Sequence, residues 1–138
     1  MFHFTGKELI FFVVSNSFKI KDTQKYGRGA FAICDIKKGE IIEASPVIVI
    51  PKEEVEHLNK TILSDYWFYW GEEERAIALG YGSIFNHSYT PNASFYCYLP
   101  NLTIYFYAIR DIKNGEEITT NYNGDPNDRS PLWFDVIE

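Results

Sequence analysis

Little in this chain of 138 residues could bind a metal or build a disulfide frame, because it holds two cysteines, Cys34 and Cys97, and three histidines, His3, His57 and His87. None of the five sits at the close paired spacing that metal sites favour, so no metal is expected. A reduced, intracellular setting, cytoplasmic or nuclear, follows from the same scarcity. Positive charge is short as well: 13 Lys and Arg face 19 Asp and Glu, for a formal charge of -6. That field repels phosphate backbones and anionic lipid, which argues against direct nucleic-acid or membrane binding and for a basic partner. Leu9 to Val14 is apolar but far shorter than a membrane span and lacks a small-residue cleavage site. Four Asn-x-Ser/Thr matches, at Asn59, Asn86, Asn92 and Asn101, are then chance occurrences in an Asn-rich chain. No repeat, low-complexity tract or linker interrupts the sequence, and one domain over 1–138 is expected.

What is abundant is ring surface. Aromatics make up 17% of the chain, as 11 Phe, 10 Tyr and 3 Trp, and that much ring area must lie in a core, a pocket or an interface. Early strands are expected between Leu9 and Ile20, then a turn over Lys25 to Gly29, then strands at Phe31 to Ile36 and Glu40 to Ile50. Pro51 opens a short helix, with Glu53, Glu54 and Glu56 placed to suit its dipole. Tyr66 to Trp70 is a dense ring cluster, and Glu72 to Leu79 is ambiguous in form. Ala93 to Leu99 and Thr103 to Ile109 read as a hairpin around Pro100-Asn101-Leu102. Asp111-Ile112-Lys113-Asn114-Gly115-Glu116 echoes Asp35-Ile36-Lys37-Lys38-Gly39-Glu40, which is the same glycine turn chemistry used twice, not a duplicated unit. The fold class is mostly β with short helices.

Four separated segments carry polar chemistry: Gly27-Arg28-Gly29, Asn86-His87-Ser88 with Pro91-Asn92, Gly115-Glu116-Glu117-Ile118 through Tyr122, and Trp133 in the tail. Each alone is ordinary. Gly-x-Gly turns are usually structural, a lone histidine is usually a satisfied core residue, and a strand-end tyrosine or a tail tryptophan usually packs. Taken together, in type, order and spacing, they resemble the SET-domain protein lysine methyltransferases over about Tyr26 to Trp133. The central Asn-His-Ser-x-x-Pro-Asn box is the specific one. Ala78 to Phe85 is similar to the minimal SET proteins of viruses and bacteria.

The resemblance implies small curved sheets with a C-terminal pseudoknot, a motif-bearing core over about 26–124 and a tail over 125–138. It implies methyl transfer from S-adenosylmethionine to a protein lysine, with a histone or histone-like tail as the candidate acceptor. Tyr122 is then the catalytic residue. Tyr26, Gly27, Arg28 and Gly29 would meet the methionine end of the cofactor, Asn86 and His87 its amino and adenine parts, and Trp133 would cover the adenine, while Glu117 braces the knot. Tyr66, Phe68, Phe95 and Thr120 would line a lysine channel, and the small Thr120 would leave room for more than one methyl. Tyr89 stands where Cys often follows Asn-His-Ser, and the zinc-bound post-SET module is missing, so Trp133 is expected to act as the aromatic lid. A homodimer is expected from the apolar run at Leu9 to Val14, the rings at Tyr66 to Trp70 and the minimal relatives. Two other readings stay open: a SET-like module that binds peptide or cofactor without turnover, and an aromatic-rich β domain that binds carbohydrate or protein.

Overall fold

Alternating apolar residues between glycine turns produce nine short strands in a computed structural model that describes residues 16–138. They are β1 (Phe18–Asp22), β2 (Arg28–Ala32), β3 (Ile41–Ile50), β4 (Trp67–Trp70), β5 (Glu74–Ala78), β6 (Asn86–His87), β7 (Ala93–Tyr98), β8 (Thr103–Ala108) and β9 (Glu117–Thr120). One α-helix, α1 (Val55–Leu58), follows a 3-10 turn over Lys52–Glu54 whose N-cap is Pro51. The apolar run at Leu9 to Val14 lies outside the described residues.

The strands form two sheets, one of four in the order β1-β2-β9-β6 and one of five in the order β4-β5-β3-β8-β7. The expected hairpin is β7 with β8, and β8 alternates cleanly, with Ile104, Phe106 and Ala108 buried while Thr103, Tyr105 and Tyr107 are half-buried. The five-stranded sheet curls until its two edges meet: the Phe68 and Phe95 rings are 5.2 Å apart and the Cys97 thiol donates to Tyr69 O at 3.6 Å. Phe85, 4.9 Å from Phe106 and 5.4 Å from Phe18, joins the two sheets in one core with Ile104, Ile112 and Ile118.

One turn and one strand sit earlier than the sequence suggests. Thr23 N–H bonds Gly27 O at 2.8 Å and Gly27 takes φ of 89°, so the chain reverses before Arg28. Arg28 and Gly29 already pair with Asp22 and Lys21, and the ladder stops at Ala32; beyond it Ile36 makes a lone bridge to Ile112.

That bridge joins the two echoing turns. Ile36 and Ile112 exchange both backbone hydrogen bonds at 2.8 Å. Asp111 accepts from Lys38 N–H and Asp35 accepts from Asn114 N–H, each at 2.9 Å. Gly39 and Gly115 take φ of 91° and 92°, a left-handed conformation that suits glycine. The repeated sequence therefore folds as two copies of one turn, each capping the other, and this anchors the entry to β9.

Candidate active site

β9 is inserted between β2, with which it runs antiparallel, and β6, with which it runs parallel, so a late strand separates two earlier ones. Side-chain amides fasten it on both flanks. Asn92 Nδ2 donates to Glu117 O at 2.8 Å and Asn92 Oδ1 accepts from Thr119 N–H at 2.9 Å, so one side chain satisfies two β9 peptide groups. Asn86 Nδ2 donates to Arg28 O and to Glu117 Oε2, both at 2.8 Å, and the Tyr26 hydroxyl donates to Glu117 Oε1. Glu117 is thus the hub that joins β2, β6 and β9. Gly29 faces this hub: a Cβ there would stand 2.6 Å from Glu117 Oε2 and 3.0 Å from Asn86 Nδ2, so only glycine fits without moving the network.

Two residues past β9, Tyr122 is held at both ends. Its N–H donates to His87 Nδ1 at 3.0 Å and its hydroxyl donates to Phe85 O at 2.9 Å. Burial, assisted by the neighbouring Tyr66 and Glu117, pushes the phenol pKa up to about 12, so it stays protonated at any physiological pH. The Tyr26 phenol is also raised, by burial first and then by its bond to Glu117. Because His87 Nδ1 accepts a hydrogen bond, the ring carries its own proton on Nε2, and that buried donor has no partner among the described residues. Burial lowers the His87 pKa, with Glu138 opposing.

The tail supplies the remaining rings. Trp133 stacks on Tyr122 at 6.2 Å with planes 18° apart, and Phe134 stands 6.1 Å from Tyr122 and 6.3 Å from His87. Two cavities meet here. The first, about 580 Å³, is lined by Tyr26, Arg28, Asn86, His87 and tail residues 133–137; the second, about 850 Å³, by Phe68, Phe95, Trp67, Tyr69, Cys97 and Asn123. Asp65, Tyr66, Ser83, Tyr122 and Trp133 line both.

Of the residues singled out from the sequence, Tyr26, Arg28, Asn86, His87 and Trp133 surround the first cavity, Phe68 and Phe95 line the second, and Tyr66 and Tyr122 stand between them. Three positions differ. Gly27 lies in the turn and Gly29 is buried against Glu117, and neither lines the first cavity. Thr120, expected beside the channel, is 2% exposed and lines neither cavity, since β9 turns Ile118 and Thr120 to the interior and pairs Thr120 with His87. Asp65, Ser83, Phe134 and Glu138 were not singled out, since no local motif surrounds them.

The first cavity suits a cationic nucleoside-type group. Rings of Tyr26, Tyr66, Trp133 and Phe134 offer faces for stacking and cation–π contact, and Asp65 and Asp135 offer negative charge. Among the described residues no three His, Cys, Asp or Glu side chains gather where they could hold a metal ion.

Comparison with known proteins gives concordant results. The SET domain profile matches residues 27–123. A Schizosaccharomyces pombe histone-lysine N-methyltransferase specific for lysine 37 of histone H3 is 40% identical over 124 residues, which span 89% of this chain and 80% of that protein. A variant-silencing SET domain-containing protein of Plasmodium falciparum is 34% identical over 119 residues, 76% of this chain and 5% of that much longer protein. The crystal structure of a candidate histone methyltransferase from Plasmodium falciparum superposes with a TM-score of 0.65 at 33% identity, covering 77% of this chain and 92% of that one.

Proposed function

The chain belongs to the SET-domain family, and we propose that it acts as a protein-lysine N-methyltransferase with S-adenosylmethionine as donor and a lysine of a histone tail as acceptor. The observation that supports this most is the meeting of two cavities at Tyr122, one suited to a cationic nucleoside and the other a ring-walled slot. When bound, S-adenosylmethionine supplies a methyl carbon on a positively charged sulfur. Tyr26, Arg28, Asn86, His87 and Trp133 would hold it in the first cavity, with Asn86 braced by Glu117 and His87 by Tyr122 N–H.

The acceptor lysine must lose a proton before it can attack, because its pKa in water is about 10.4. The walls of Phe68, Phe95, Tyr66 and Trp67 favour the neutral amine by withholding water, and the proton leaves to solvent. Tyr122 is no base here. Its own proton is committed to Phe85 O, which leaves its oxygen as an acceptor for an amine N–H and as negative partial charge beside the reacting centre. The donor would supply the methyl carbon and its sulfur would take up the electron pair released when the amine lone pair bonds that carbon, while Tyr122 and the ring walls would hold the amine in line.

A histone acceptor suits the formal charge of -6 and implies a nuclear site of action. The described residues contain no helix long and apolar enough to cross a membrane. Self-association belongs to the same proposal; in the ring cluster at Tyr66 to Trp70, Trp70 is core while Tyr66 and Tyr69 are exposed, and a second surface offers more contiguous rings. On the outer face of β7 and β8, Tyr96, Tyr98 and Tyr105 lie together, with Tyr96 stacked 5.2 Å from Tyr105, and all three are half-buried or exposed. The strand positions of this face in β7, β8 and β3 carry no charged residue, so two acidic copies can meet there without repulsion. Light scattering is expected to give a two-fold dimer that Tyr96→Glu converts to monomer; a monomeric wild type at high concentration overturns it.

The activity is tested with labelled donor and a histone H3 peptide spanning lysine 37, then with a histone panel. Tyr122→Phe is expected to lower turnover at least about a hundredfold with donor affinity within about tenfold. Transfer by the variant at the wild-type rate removes Tyr122 from the chemistry. Donor binding without transfer to any histone favours the non-catalytic module instead.

A further inference from the structure

The tail from Asp125 to Glu138 is tied to the body at both ends and carries rings between the ties. At the near end, Asn121 Nδ2 donates to Asp128 O at 2.6 Å, and Asn123 Nδ2 and the Tyr89 hydroxyl donate to Ser130 O at 2.9 and 3.1 Å. At the far end both oxygens of one carboxylate are used: Glu138 Oε1 accepts from Tyr89 N–H at 2.7 Å and Oε2 from the Ser88 hydroxyl at 3.0 Å. The span between forms one wall of the first cavity. Its rings are poorly buried, with Trp133 63% and Phe134 39% exposed, so burial of apolar area holds the wall only weakly and the polar ties must do the rest.

The far tie lands on a sensitive place. Ser88 and Tyr89 directly follow His87, whose Nδ1 accepts from Tyr122 N–H, and the Tyr89 ring packs edge-on to His87 at 4.5 Å. The segment 87–89 therefore holds Tyr122 on one side and the tail on the other. Both oxygens of one side chain are engaged by neighbouring residues, which suits a single residue acting as a catch.

We infer that Glu138 is a positioning residue, a latch that keeps the Trp133–Phe134 wall closed over the first cavity and so governs affinity for the donor but not the transfer step. This rests on the reading of the first cavity as the donor site. Glu138 lines neither cavity; its carboxylate favours the charged form of the nearby His87 ring, and its hold on the Trp133–Phe134 wall passes through the tail.

Glu138→Ala removes both bonds. Glu138→Gln can keep both, because its carbonyl accepts from Tyr89 N–H and its amide donates to Ser88 Oγ. Hydrogen exchange on the donor-free full chain reads the latch directly. The Tyr89 amide and residues 131–138 are expected to exchange at least about tenfold faster in Glu138→Ala and near the wild-type rate in Glu138→Gln. Calorimetry with S-adenosylmethionine is expected to show Kd raised about tenfold or more in Glu138→Ala, with kcat at saturating donor within about threefold, and both restored in Glu138→Gln. Wild-type exchange in Glu138→Ala overturns the latch, as does faster exchange with unchanged donor affinity. If the wild type binds no S-adenosylmethionine, the donor reading fails, and the exchange result alone then upholds or overturns the latch.

Discussion

The two sheets are held by different chemistry. In the five-stranded sheet, Phe68, Phe95 and Phe106 pack with ring centres 5.2 to 6.1 Å apart over Ala76, Ala78 and Ile104, and almost no side-chain hydrogen bond crosses between strands. In the four-stranded sheet, β9 is pinned by Asn86, Asn92 and Glu117 through bonds of 2.8 to 2.9 Å. Packing responds to volume, so similar shapes can substitute for one another. An amide network responds to donor and acceptor positions, and a side chain of equal size that lacks them leaves buried groups unpaired. The site is built on the second kind of support, where Tyr122 must be held to within a fraction of an ångström.

Substitutions at four positions sharpen that contrast, taken from the largest effect to the smallest. Phe106→Ala is expected to cost about 3–5 kcal/mol in denaturant unfolding, because the ring bridges Phe68, Phe85 and Phe95, whereas Phe106→Leu costs under about 1.5 kcal/mol. Asn92→Leu keeps volume yet is expected to cost about 1–3 kcal/mol for each of the two β9 groups left unpaired; a loss as small as that of Phe106→Leu would erase the distinction between the sheets. Gly29→Ala is expected to cost about 1–3 kcal/mol by crowding, and to weaken donor binding through Asn86, read by melting and calorimetry together.

The smallest effect is a pH slope. The folded-state pKa of His87 lies below its value in the unfolded chain, about 6.5, so between the two the unfolded chain binds more protons and stability falls as pH falls. His87→Asn can retain an acceptor for Tyr122 N–H and cannot titrate. Its melting temperature is expected to decline less than that of wild type when pH drops below about 6.5, and equal slopes would assign the acid sensitivity elsewhere.

Much of the site was legible because it is written in short segments. Asn86-His87-Ser88, Asn92 and Tyr122 fall within short boxes, and their residue types are those that pin a strand and hold a phenol in place. The hairpin β7–β8 was legible from its alternation and its turn. Thr120 was misjudged because alternation tells which residues share a face but not which face meets the cavity, and β6 and β2 decide that by flanking β9. The Lys25 to Gly29 turn was placed late because Thr23, not a glycine, closes it by bonding Gly27 O through both its N–H and its hydroxyl at 2.8 Å. Asp65 and Glu138 carry no local signature at all. Their importance comes from what they face, which is distant in the chain.

By itself the sequence determined the short strands, the two left-handed glycine turns at Gly39 and Gly115, the ring-rich core and the boxes that point to a SET domain, since each depends on residues a few positions apart. Tertiary structure alone decided that the two echoing turns cap each other, that β9 slides between β2 and β6, that two cavities meet at Tyr122, and that Glu138 ties the tail to Ser88 and Tyr89. Those are contacts between segments far apart in the chain. Their formation depends on loop closure and on the fit of whole surfaces, which no local pattern of residues encodes.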